Sequence, residues 1–138
     1  MTISSTTIRP LYVVDTNALI WYLKQDKKLG AHAAAIFEAA ERGETWLIVS
    51  AIVIAELYYA DKKHHLFQDF RQAYLALKAK PYFRIVPFAA DDVLDFDQHS
   101  DVPEMHDRII AGLVRRIGAP LLTADPLIVA AGLVETVW

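Results

Sequence analysis

Three features of this 138-residue chain predict an α/β domain with a parallel sheet between two layers of helices. Short, wholly apolar runs rich in β-formers recur along it, segments of helical character separate them, and helix-capping residues stand where runs give way to helices. A strand buried on both faces loses the alternation of apolar and polar residues, and a parallel neighbour needs a crossover that a helix supplies. Together these indicate a three-layer α/β/α arrangement.

Leu11-Tyr12-Val13-Val14 reads as a buried strand that turns at Asp15-Thr16-Asn17, three good capping residues, into a helix from about Asn17 to Lys24. That helix carries Leu19, Ile20, Trp21, Tyr22 and Leu23 in succession, so one of its faces is expected to meet a protein partner. Gly30 to Arg42 is Ala-rich with apolar residues at helical spacing and closes at Gly43, before a second strand, Trp46–Val49. Ser50 caps a helix from Ala51 to about Lys63, and Leu66 to Lys80 reads as another, stopped by Pro81. Phe83–Val86 is a short strand and Ala89–Gln98 a short acidic helix. Pro103 is expected to open a helix reaching about Arg116. Pro120–Thr123 is a strand, Asp125-Pro126 caps and starts a helix, and Thr136-Val137-Trp138 is a last strand. With no linker or repeat, residues 1–138 read as one domain.

Composition narrows the chemistry. A formal charge of −3 is not the footprint of a protein that binds nucleic acid by net charge, so a polyanion would have to be held locally. The absence of cysteine excludes disulfides and thiolate zinc sites. Met1–Thr7 lacks the basic start and apolar stretch of a signal peptide, and no apolar run is long enough to span a membrane. The expectation is a soluble, cytoplasmic protein.

Four acids stand out. Glu56 has Ile52, Val53, Tyr59 and Ala60 as its helical neighbours, so it should face the interior, where a carboxylate needs a cation, hydrogen bonds or a metal. Arg108 or backbone groups would also satisfy it. Asp15 and Asp125 follow apolar strands, the edge of an open sheet where ligands bind, although an Asp there also serves simply as an N-cap. Asp107 lies early in its helix, where the helix dipole stabilises an acid with or without a further role. Gathered in one pocket, these carboxylates would repel unless a hard divalent cation neutralised them, and Mg²⁺ or Mn²⁺ suits an all-oxygen ligand set. Such an ion would draw a phosphodiester to an acidic protein. Thr16, Asn17 and Thr123 are placed to hydrogen-bond the carboxylates or to cap. His106 is adjacent to Asp107 on a helix, and adjacent helical residues point apart, so it reads as a surface or packing residue. Asp91, Asp92, Asp95, Asp97, Asp101 and Glu104 read as a solvated face, as do the Lys62-Lys63 and Arg115-Arg116 pairs.

Four blocks, Val13-Val14-Asp15-Thr16-Asn17-Ala18-Leu19-Ile20, Val49 to Leu57, His106-Asp107-Arg108-Ile109-Ile110-Ala111 and Leu121-Leu122-Thr123-Ala124-Asp125, resemble in order and spacing the motifs of PIN-domain ribonucleases. The similarity is greatest to the VapC toxins of toxin–antitoxin pairs and spans nearly the whole chain. It implies a single PIN-like domain with a mainly parallel five-stranded sheet and an endoribonuclease activity requiring Mg²⁺ or Mn²⁺. By motif position, Asp15, Glu56, Asp107 and Asp125 would be the catalytic, metal-holding quartet, with Asn17, Thr123 and Thr16 in support. RNA would be the substrate, and a cognate antitoxin and a second copy in a homodimer the partners. Trp21 and Tyr22 would suit one of those contacts or the core. Pro126 departs from the pattern and removes a possible polar substrate contact.

Competing readings fare worse. A phosphatase of the haloacid-dehalogenase type needs a second Asp where Asn17 stands, and a receiver domain needs a lysine after a late strand, whereas Lys80 is the last lysine. The remaining alternative is a catalytically silent RNA- or protein-binding module on a PIN fold.

Overall fold

The computed structural model describes residues 8–138; the polar stretch Met1–Thr7 discussed above lies outside them. Its centre is a five-stranded sheet in the order β3-β2-β1-β4-β5, built from β1 (Leu11–Val14), β2 (Trp46–Ser50), β3 (Phe83–Val86), β4 (Leu121–Leu122) and β5 (Thr136–Val137). Every pairing is parallel, with Tyr12 beside Leu47, Ile48 beside Arg84, Val14 beside Leu122 and Leu122 beside Val137. Val13, Val14, Leu47, Val49, Leu121 and Leu122 are fully buried, which is why these runs show no alternation in the sequence.

Helices α1 (Thr16–Leu23), α2 (Ala31–Glu41), α3 (Ala51–His64), α4 (Phe70–Ala79), α5 (Met105–Ile117) and α6 (Pro126–Ala131) flank the sheet. Capping sets their starts. Asp15 accepts from the Ala18 amide at 2.8 Å, Ser50 from Ile52 at 3.2 Å and Asp125 from Leu127 at 2.9 Å, with Pro126 at the first helical position. Gly118 closes α5 with φ +72°, a left-handed conformation that glycine adopts without strain.

Several expectations need correction. The segment beginning at Leu66 is not helical until Phe70, because Asp69 caps α4 by accepting from Gln72 and the Asp61 carboxylate holds the Phe67 amide at 2.8 Å in a turn. The short acidic helix is present, shifted by one residue to Ala90–His99, and its turns are 3₁₀. Pro103 lies outside α5, whose N-cap is Glu104, accepting from the Asp107 amide at 3.1 Å. The Pro120–Thr123 strand contracts to Leu121–Leu122. Part of the apolar girdle of α1 packs within the chain, which leaves its expected protein partner untouched: Tyr22 stacks on Phe37 at 4.2 Å, Trp21 meets Trp138 edge-on at 5.5 Å, and both Trp21 and Tyr22 stay half-buried. Among the described residues, no helix is long and apolar enough to cross a membrane.

Candidate active site

The strand order reverses direction at β1. From there the chain steps outward to β2 and β3 on one side, then crosses to β4 and β5 on the other. Such a reversal leaves a crevice at the carboxyl ends of the two diverging strands. Asp15 follows β1 and Asp125 stands three residues beyond β4, so both border it. From the flanks, α3 contributes Glu56 and the first turn of α5 contributes Asp107. The result is a cleft of about 380 Å³ lined by Asp15, Thr16, Asn17, Ile20, Glu56, Ala60, Glu104, His106, Asp107, Ile110 and Asp125. All four expected acids reach it.

Asp15 keeps only 7 % of its surface exposed, and burial raises its carboxyl to about 6. Hydrogen bonds from Thr123 and from the Ala18 amide oppose that rise, while Asp125 and Glu56 add repulsion. Asp107 is raised further, to about 7, by burial first and then by Asp125, Glu104, Glu56 and Asp15. The carboxylates therefore stand close enough to repel one another. Thr123, itself 1 % exposed, also accepts from the Asp125 amide at 3.0 Å and so ties the two strand-end acids together.

Glu56 differs from expectation. Its side chain is 27 % exposed at the rim of the cleft, because Tyr59, counted among its apolar neighbours, points to solvent with 72 % exposure. It is satisfied by Thr16, which donates at 2.6 Å, and by His106 Nδ1 at 3.1 Å. Arg108, the alternative partner, bonds instead to the carbonyl oxygens of Val102 and Ser100. Asn17 is exposed at the mouth, where a second shallow hollow, lined by Trp21, Ala124 and Pro126, adjoins it.

Two residues escaped the sequence reading. His106 and Glu104 both line the cleft, and the ligand atoms of Glu56, Glu104 and His106 lie within 4.8 Å of one another. No three of Asp15, Glu56, Asp107 and Asp125 close to that distance among the described residues. The divergence of adjacent helical side chains failed as a guide because the cleft sits over the end of α5. At a helix N-terminus, the cap and the whole first turn border the same space.

Among the described residues, no lysine or arginine pairs with any of the four acids. Mutually repelling carboxylates with no lysine or arginine partner, all offering oxygen, match a hard divalent ion in their donor chemistry.

A family model described as the PIN domain matches residues 12–131. No curated protein sequence matches the chain. Among solved structures, the Mycobacterium tuberculosis VapC20 toxin, described as cleaving the sarcin-ricin loop, shares 16% identity at a TM-score of 0.69 over 90% of this chain and 97% of that one. The Rickettsia felis VapBC2 complex bound to a promoter DNA fragment shares 18% identity at 0.64, covering 92% and 97%. FitAcB from Neisseria gonorrhoeae shares 20% identity at 0.64, covering 91% and 95%. At these identities the likeness is one of fold.

Proposed function

The chain belongs to the PIN domain family, and from that membership we propose that it is a Mg²⁺- or Mn²⁺-dependent endoribonuclease, the toxin of a VapBC-type toxin–antitoxin pair. One observation carries the proposal: four carboxylates from four parts of the chain share a cleft at the sheet's carboxyl edge with no lysine or arginine paired to them among the described residues. The likeness in fold to the VapC20 toxin supports the toxin reading.

Asp15, Glu56, Asp107 and Asp125 would hold the ion. Bound there, it supplies Lewis-acid polarisation of a phosphoryl oxygen and lowers the pKa of its water. Thr16 orients Glu56 through its 2.6 Å hydrogen bond, and Thr123 and the Ala18 amide fix Asp15 in one rotamer. Asn17, at the exposed mouth, is placed to hydrogen-bond the incoming backbone. A carboxylate of the set would take the proton of the attacking water as its oxygen bonds to phosphorus, while the opposite P–O bond breaks in line and the leaving oxygen gains a proton from solvent. The RNA substrate, a cognate antitoxin and a second copy of the chain are the partners of this reading, and a single domain over residues 1–138 is its unit.

Purified protein incubated with cellular RNA should generate new ends with Mn²⁺ or Mg²⁺ and none with EDTA. Growth arrest on expression, relieved by the product of a neighbouring small gene, should accompany that activity. Cutting that persists undiminished in chelator would overturn the metal scheme, and arrest without RNA cleavage would overturn the nuclease.

A further inference from the structure

Helix α3 continues beyond the cleft as a stripe of a different character. Tyr59, Ala60 and Lys63 stand three, four and seven residues after Glu56 and share one face with it. Glu56 and Ala60 line the cleft, and the stripe ends at Lys63 about 10 Å along the helix axis from Glu56. Tyr59 is 72 % exposed, more than any other aromatic side chain among the described residues. Its ring has a neighbour on one side: it meets Tyr58 edge-on at 5.2 Å, and Tyr58 meets Phe70 in the same way at 5.4 Å. An aromatic ring with a neighbour on one side yet open to solvent is a stacking platform.

The surrounding charge selects an occupant. Lys62, Lys63 and His64 occupy the last turn of α3, and Arg71 joins Lys62 and His65 around an adjoining hollow of about 620 Å³ that also includes Tyr58 and Phe70. The acids of that hollow, Asp61 and Asp69, are engaged by the backbone amides of Phe67 and Gln72. In a chain of net charge −3, this places basic and aromatic residues on the same helix as the cleft-lining Glu56 and Ala60, one turn further on. A polyanion approaching that cleft needs such neutralisation next to it.

Resting on the nuclease reading above, we propose that an unpaired stretch of the RNA substrate leaves the cleft along this face of α3, with a base stacked on Tyr59 and an adjoining phosphate held by Lys63. Stacking on a side chain requires a base that is not already in a duplex, so the stretch that crosses Tyr59 is unpaired there.

The test measures fluorescence anisotropy of a short labelled single-stranded RNA on Asp15→Asn protein, which should bind without cutting. Adding Tyr59→Ala should weaken binding about tenfold, with Tyr59→Phe close to the parent. Lys63→Ala should weaken binding and lower the slope of log affinity against log salt by about one. In the otherwise native enzyme, Tyr59→Ala should raise KM on single-stranded RNA with kcat and melting temperature unchanged. Affinity and KM unmoved by Tyr59→Ala, in a protein that does cleave RNA, would overturn this proposal alone. Failure of the native protein to cleave any RNA would overturn it together with the nuclease reading. Conversion of a dimer to a monomer by Tyr59→Ala in light scattering would assign the face to a second copy and also overturn it.

Discussion

Two acidic regions of this molecule are built on opposite principles. Along the 3₁₀ helix Ala90–His99, Asp92 and Asp95 are both paired with Arg116 of α5, at 3.4 Å and 2.7 Å. In the cleft, Asp15, Asp107 and Asp125 have no lysine or arginine partner among the described residues, and Glu56 is met only by Thr16 and His106. A cluster of acids is thus uninformative until its counter-charges are known. Where the protein supplies its own cation, the acids fasten one element to another. Where it supplies no lysine or arginine and holds the carboxylates buried or half-buried, their repulsion is tolerated for the sake of a cation from outside.

Exchanging carboxylates for carboxamides in the two regions should separate them. Asp15→Asn and Asp107→Asn should each lower RNA cleavage about a thousandfold, the scale of losing charge stabilisation in a transition state. Asp92→Asn with Asp95→Asn should leave the cleavage rate within about twofold. Equal losses from both pairs, measured on one RNA, would erase the distinction. A smaller effect should appear in stability: Arg116→Ala should lower the unfolding free energy by about 1 kcal/mol, since the pairs are partly exposed and water screens them. Urea unfolding of the variant with an unchanged slope is the check.

The sequence carried the sheet and the quartet because both rest on local signals. Apolar runs such as Val13-Val14 mark doubly covered strands, and an Asp after such a run marks the strand end and the cap together. The four acids became a set through the order of their motifs, and the sheet reversal at β1 is the physical reason they meet. What the sequence did not carry depended on relations between elements. Glu104 and His106 enter the site because the cleft lies over the start of α5, and helical spacing within α5 does not encode what lies beyond its end. Glu56 sits at the rim and not in the interior that its neighbours suggest, because Tyr59 is apolar by type yet solvent-facing. The late start of α4 was legible in part, since Asp69 before Phe70 is a capping signal that the longer apolar periodicity from Leu66 overrode.

Thermal unfolding of the chelated protein against pH, with and without added Mn²⁺, tests most directly the claim that the cleft buries carboxylates for an external cation. Asp15 is raised from 3.8 to about 6 and Asp107 from 3.8 to about 7, so folding favours their protonated forms. That contribution is complete below the unfolded value and is lost as pH rises through about 6 and about 7. The chelated protein should therefore melt lower at about pH 8 than at about pH 5, and Asp15→Asn, whose side chain still caps α1, should flatten the decline. Saturating Mn²⁺ should restore stability at the higher pH by about 2 to 3 kcal/mol at a hundredfold excess over its dissociation constant, and should do so far less in Asp15→Asn. Stability that holds level or rises over this range in chelator, with no response to Mn²⁺, would contradict the account.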